Sequence, residues 1–254
     1  MAVLISSYSS AEERENKPRR IEASFSLERL SPNDIYGNWN TFNLGFYSRE
    51  SQDFTYFIQG SFHKRPEGSG ATGTIGAYKD WSDSLYTYSS VTKGSHSDYL
   101  PEFRADHDFN FKLGKNKNLI LTAGVAYIDY YSDHSDLIFS GGPTVYLNKW
   151  ILQYRLFHNK SNPGSIGSFS QLLSTGYGEE GNQWTYLNLS FGKQAYLATS
   201  LAEPQAVNQD SVNIALQHRL WMGKYYGFFG DVSYFSLEDG YNKLGVSCGI
   251  FYEF

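Results

Sequence analysis

Lys243-Leu244-Gly245-Val246-Ser247-Cys248-Gly249-Ile250-Phe251-Tyr252-Glu253-Phe254 is the stretch on which the fold turns. Leu244, Val246, Cys248, Ile250, Tyr252 and Phe254 share one parity, and Lys243, Gly245, Ser247, Gly249 and Glu253 share the other. Only Phe251 breaks the alternation. A period of two is that of an extended strand with one apolar and one polar face. Segment 103–113 repeats it: Phe103, Ala105, Phe109, Phe111 and Leu113, with His107 among them, alternate with Arg104, Asp106, Asp108, Asn110 and Lys112. Four charges on one face require water, as do Gln217 and Arg219 opposite Val212, Ile214, Leu216 and Leu220.

The 254 residues carry a net charge of -5, which gives no electrostatic reason to expect a nucleic-acid partner. Aromatic residues reach 17%, with 21 Tyr and 18 Phe, a β-rich composition. Mean hydropathy is negative, and no window approaches the ~18 consecutive apolar residues of a membrane-spanning helix. Two-faced strands cancel in such an average, so a transmembrane barrel stays compatible with it. Cys248 is the single cysteine, so no disulfide within the chain is expected, and neither a structural metal nor a cofactor.

Residues 1–20 read as a mobile periplasmic leader, with the charged run AEERENKPRR at 11–20 and no signal peptide; in a secreted protein Met1 would then stand where the native signal was removed. Residues 21–254 read as one barrel domain. Its strands are expected at 21–31, 37–49, 53–63, 70–81, 83–93, 100–113, 117–131, 135–147, 149–159, 167–177, 182–193, 208–221, 224–235 and 243–254. That makes fourteen, or twelve should 70–81 and 83–93 be misread. Sandwich strands usually have about five or six residues and tilted membrane strands about nine to eleven, so these lengths favour an antiparallel up-and-down transmembrane barrel. Short joints alternate with longer ones richer in Pro, Gly and Ser, above all 193–208. Bacterial barrels keep short turns in the periplasm, which places both termini there.

The final residues match the insertion signal of outer-membrane proteins, with Gly249, Tyr252 and Phe254 as its elements. A last strand of this kind would pair with the barrel-assembly machinery through main-chain hydrogen bonds and an aromatic anchor. Trp39, Trp81, Trp150, Trp184, Trp221, Tyr130, Tyr131, Tyr177, Tyr225 and Tyr226 are candidates for the aromatic girdles at the headgroups.

The stretch from Gly124 to Lys193, through GVAYIDYYSD, SGGPTVYLNKWILQYRLFHN and QLLSTGYGEEGNQWTYLNLSFGK, resembles the YaiO family of outer-membrane β-barrels. The resemblance implies a barrel in the bacterial outer membrane and no particular reaction. Related barrels stand at the ends of exopolysaccharide secretion systems, which implies saccharide traffic or surface anchoring, with saccharides or polysaccharide-export proteins as partners beside outer-membrane lipids and lipopolysaccharide.

Alternation points a mixed set of charges into the lumen: Arg104, Asp106, Asp108, Lys112, Arg155, Arg219, Asp231 and Lys243, together with Glu22, Glu28, Gln217 and Glu253. A fourteen-stranded barrel falls between side-chain-filled barrels of about eight strands and open porins of 16–18. Opposed charges would either cross-link a plugged interior or line a narrow polar channel. Tyr86, Tyr88, Trp184 and Tyr186, on the polar face, are candidate platforms for sugar rings. The leading expectation is a non-enzymatic channel for polar solutes, or an outer-membrane component of surface-polysaccharide export. A structural or receptor-like barrel binding an external partner through loops 131–136 and 193–208 is the alternative. A third reading is a hydrolase built on His134 or His158 near Asp133 and Asp136, since a carboxylate can orient a histidine as a general base.

Overall fold

The computed structural model describes residues 19–32, 36–193 and 209–254. Within them the chain forms fourteen strands: β1 (Arg19–Ser31), β2 (Asn38–Ser51), β3 (Phe54–Arg65), β4 (Gly68–Ser82), β5 (Leu85–Gly94), β6 (Pro101–Leu113), β7 (Leu119–Tyr130), β8 (Ser135–Leu147), β9 (Trp150–Asn162), β10 (Ile166–Glu179), β11 (Gln183–Lys193), β12 (Asp210–Trp221), β13 (Tyr226–Leu237) and β14 (Asn242–Glu253). The expected pair at 70–81 and 83–93 is two separate strands, so the count is fourteen and not twelve. Of the expected leader, residues 1–18 lie outside the described residues, and Arg19 and Arg20 already belong to β1. Of the long joint 193–208, residues 194–208 also lie outside them.

Every strand pairs antiparallel with its chain neighbours, and β1 closes on β14 from Arg20↔Glu253 to Ser31↔Asn242. Closure leaves no sheet edge, the condition for a β structure in hydrocarbon, where an unpaired backbone amide has no water to turn to. Ile21, Phe25 and Leu27, Phe42 and Leu44, Ile214 and Leu216, and Val246 and Ile250 are all exposed on the outer wall, forming its apolar band. His107 lies on this wall too, where its Nδ1 is hydrogen-bonded to the Ser89 hydroxyl at 2.8 Å. Pairing within the wall spares the lipid face an unsatisfied polar group.

The six joints on the side of the chain ends are 51–54, 82–85, 113–119, 147–150, 179–183 and 221–226. We name this side the turn end and the other the loop end. In the tight joint after β8, Asn148 takes φ 51°, a left-handed conformation that asparagine tolerates. The contrast in joint length is weaker than the sequence suggests, because β3 and β4 extend toward each other until only Pro66 and Glu67 separate them.

Aromatic rings on the inner wall lie over glycines directly opposite them. Phe57 faces Gly76, Tyr186 faces Gly176, Phe251 faces Gly227 and Phe229 faces Gly249. A side chain at any of these glycines would collide with the ring. Each ring so flattened withdraws apolar surface worth about 1.5–3 kcal/mol from lumenal water. Phe251, the residue that breaks the alternation of β14, is one of them, buried to 2% exposure. Gly76→Val, which forces Phe57 off the wall, should destabilise the barrel by about 1–3 kcal/mol, the usual cost of overpacking. Gly60→Val, where nothing stands within 4 Å, should not. The temperature at which the folded band disappears on unboiled gels compares them; equal temperatures would refute the ring-over-glycine account.

Candidate functional site: the barrel lumen

Arg104, Asp106, Asp108 and Lys112 on β6, Arg155 on β9, Arg219 on β12, Asp231 on β13 and Lys243 on β14 all lie on the inner parity of their strands, and each makes a lumenal contact. Arg155 spans three strands, donating from Nη2 to Asp108 Oδ1 at 2.5 Å and to Ser140 Oγ at 2.7 Å. Gly124 of β7 lies beneath, where any Cβ would strike this pair. Arg104 grips Asp106 with two donors at 2.8 and 2.9 Å. Lys112 pairs with Asp80, and Ser247 donates to Asp231. Lys243 pairs with Glu28 at 2.8 Å.

Beside the Arg104–Asp106 and Arg155–Asp108 pairs, side chains of β4 to β11 line a lumenal cavity of about 220 Å³. Tyr78, Tyr86, Tyr88, Tyr146 and Tyr186 contribute its aromatic surface; Arg104, Asp106, Asp108, Arg155, Asn110 and Gln153 contribute its hydrogen-bonding groups. The tyrosines do not all stand free. Tyr78 and Tyr88 pack against each other at 4.9 Å between centroids, and Trp184 stacks on Tyr186 at 5.5 Å and 24°. Alternation had not singled out Tyr78 and Tyr146, although both share the inner parity of their strands.

At the turn end a second cluster crosses the strand closure. Arg219 Nη2 donates to Glu22 Oε1 at 2.6 Å, and Arg20 pairs with the same carboxylate at 2.7 Å. Trp221 Nε1 donates to Glu253 at 3.1 Å, while the Arg219 guanidinium lies 4.7 Å from the Phe251 ring centre. Glu180, in the β10–β11 turn, belongs to the same electrostatic neighbourhood. Loss of hydration pushes its carboxyl above the ordinary carboxylate range; Arg20 and Arg219 pull it back, and Glu253 pushes it further.

At the loop end apolar side chains meet across the barrel. Leu30, Trp39, Phe235, Leu237 and Tyr241 meet Ile128, Tyr130 and Ile138 in one buried cluster, although β1, β2 and β13 lie across the barrel from β7 and β8. Inward residues of an open pore would be wet; Ile128 is 1% and Tyr130 3% exposed. The Arg65 guanidinium sits 3.6 Å from the Trp39 ring centre and 4.3 Å from that of Tyr99.

These contacts correct part of the girdle assignment. Trp39, Tyr130, Trp184 and Trp221 point into the barrel, because their parity is that of the polar face. Trp81, Trp150, Tyr177, Tyr225 and Tyr226 remain exposed on the outside, and Tyr131 donates to the Gly94 carbonyl. The histidine grouping also separates. His134 Nε2 lies 3.2 Å from Asp136 Oδ2, and that carboxylate, 2% exposed, also accepts from Asn159 at 2.8 Å and from Ser161. His158 stands on the opposite face of β9, packed on Phe169 at 4.6 Å, and Asp133 is exposed. Among the described residues no group of three His, Cys, Asp or Glu is placed to hold a metal ion.

Arg155→Met leaves Asp108 facing the cavity without its guanidinium and should cost about 1–3 kcal/mol, the penalty of an orphaned polar partner. Adding Asp108→Asn should recover part of that loss. Urea unfolding followed by tryptophan fluorescence in lipid vesicles measures both; strict additivity would show that the pair is uncoupled.

The fold is shared with bacterial outer-membrane barrels of very different sequence. A bacterial polysaccharide outer membrane secretin superposes with a TM-score of 0.58 at 9% identity, over 93% of this chain and 98% of that one. Outer membrane protein Omp33 of Acinetobacter baumannii gives 0.56 at 8% identity, over 93% and 99%. Pseudomonas aeruginosa OpdQ gives 0.51 at 8% identity, over 95% and 99%. Residues 18–197 match the family model of the YaiO membrane beta barrel domain, and the chain is therefore a member of that family, a fourteen-stranded barrel of the bacterial outer membrane.

Proposed function

We propose that this barrel is a non-enzymatic passage for small polar solutes, saccharides foremost, held shut at its loop end. The observation that carries this reading is the lumenal cavity against β4 to β11, where tyrosine rings and paired charges face one space. Aromatic faces suit the C–H faces of a sugar ring, while Arg104, Asp106, Asp108, Arg155 and Gln153 offer donors and acceptors to its hydroxyls. Opposed charges also orient a dipolar solute without trapping an ion of either sign. The likeness to a polysaccharide secretin supports a place in surface-polysaccharide export, with export proteins as partners.

In this reading the turn end and both termini face the periplasm, and the loop end faces lipopolysaccharide and the exterior, as short turns and an even strand number favour. Gly249, Tyr252 and Phe254 serve assembly. The rings of Tyr252 and Phe254 stack at 5.9 Å and 22°, and the backbone of Phe254 closes on Arg19, so before closure β14 is a free edge for the assembly machinery.

Reconstituted into planar bilayers, the native chain should pass little current. Trp39→Ala with Tyr241→Ala should raise the time-averaged current about tenfold or more, since 1.4 kcal/mol already changes an open–closed ratio tenfold. A neutral oligosaccharide should then block the open variant transiently, and Tyr186→Ala should shorten the blocks. An opened variant that carries no more current than the native chain would overturn the passage. That outcome would favour a second reading, an anchor or receptor barrel whose loop end binds an external partner, which the packed apolar closure also suits.

A further inference from the structure

A second feature of the barrel lies on its outer wall. Between Gly141↔Leu156 and Thr144↔Gln153, Gly142 and Pro143 make no ladder pair with β9. Proline has no N–H to donate, and a proline inside a strand interrupts its ladder. The outward position in this interruption is Pro143, with a short ring. Beyond β9, on β10, stands the small Thr175, paired with Leu152, itself opposite Val145. The result is a groove of about 420 Å³ walled by Val145, Leu152, Tyr154, Leu173, Leu187 and Leu189.

The register shows what lies below it. Thr175 pairs with Leu152, and two residues further toward the turn end Tyr177 pairs with Trp150. These rings pack at 4.8 Å, with the Lys149–Glu179 ion pair beneath them at 2.9 Å. An apolar groove, an amphipathic aromatic pair and the exposed Lys149, held by Glu179, thus follow one another toward the turn end. That is the order of acyl chain, ester and phosphate in a glycerophospholipid.

We propose that this groove between β8 and β11 is a binding site for one glycerophospholipid of the turn-side leaflet, an acyl chain lying along Pro143 and Thr175 and the phosphate against Lys149. The assignment of that leaflet to the periplasmic side rests on the orientation proposed above; the site itself does not depend on whether the lumen conducts. The notch admits a chain between the leucines that flank it, and burying methylenes there is favourable at about 0.8 kcal/mol each relative to water. Lipid already covers the wall, so the gain over a neighbouring position comes from closer packing.

Native mass spectrometry of the detergent-extracted chain, titrated with phosphatidylglycerol, tests the site. Thr175→Trp fills the groove and should lower occupancy about tenfold at equal lipid. Val232→Trp, an outward substitution on β13, should leave occupancy unchanged, and Lys149→Ala should reduce the preference for phosphatidylglycerol over phosphatidylcholine. Folding of each variant is checked by its gel shift on boiling. Equal occupancy in the native chain and Thr175→Trp would overturn the proposal. So would an equal loss in Val232→Trp, which would mean unspecific annular lipid, or a dimer that Thr175→Trp abolishes, which would give the groove to a second copy. Should Thr175→Trp fail to fold, Leu189→Trp fills the same groove from β11 and carries the same expectations.

Discussion

Closure of β1 on β14 is the constraint from which the rest follows. In hydrocarbon each unpaired backbone N–H or C=O costs several kcal/mol, so the sheet has to end where it began. Arg19, the first residue of β1, meets Phe254 through two backbone hydrogen bonds of 3.0 and 2.9 Å. A closed wall makes one face predominantly apolar, with its few polar groups paired along the wall, and leaves the inner face to most charged side chains. The charges of this chain therefore meet in the lumen because the wall gives them no alternative.

What they do there depends on the width of the barrel. At fourteen strands the lumen is too wide for side chains of one strand to reach the facing wall easily, and the inner residues pair around the circumference instead. Arg155 reaches Asp108 over β7 and β8, and Arg219 reaches Glu22 over β13 and β14. Each bridge needs clearance beneath it, which Gly124 supplies for the first. Among the described residues, opposite walls meet at the loop end, and they do so with apolar groups. Facing rings need no partner geometry to bury surface, whereas ion pairs across a wet lumen are held weakly.

The strands, their number and the inward charges were legible because each is a local matter: parity repeats every two residues, whatever the strand pairs with. Contacts across the barrel were not. Leu30 and Tyr130 share one buried cluster although a hundred residues apart in the chain, and neither has a sequence feature that marks it as part of a closure. The girdle shows the same limit in another form. Trp39, Trp184 and Trp221 sit near strand ends, where an interfacial aromatic is expected, yet parity sends them inward; position along the strand and side of the strand are independent, and only the second decides. His158 fell to the same rule, one parity away from the Asn159 and Ser161 that reach Asp136. Phe251 is the instructive exception, since a break in alternation is itself a local signal and marks a ring turned inward onto Gly227.

The apolar closure has an energetic consequence for any passage through this barrel. Leu30, Trp39, Ile128, Tyr130, Ile138, Phe235, Leu237 and Tyr241 are all buried. Exposing three such side chains to water costs roughly 5–9 kcal/mol, which holds the open form between about a thousandfold and a millionfold below the closed one. Thermal opening alone would then be rare. A ligand shifts such a balance only by the difference in its affinity for the two forms, so a solute gripped equally well in both leaves the mouth shut. The lumenal cavity alone cannot supply that difference, because its tyrosines and ion pairs are already in place with the mouth closed. In the passage proposed above, that difference would have to arise at the loop end itself, where Arg65 on Trp39 and Lys243 beside Glu28 are charged groups built into the apolar cluster.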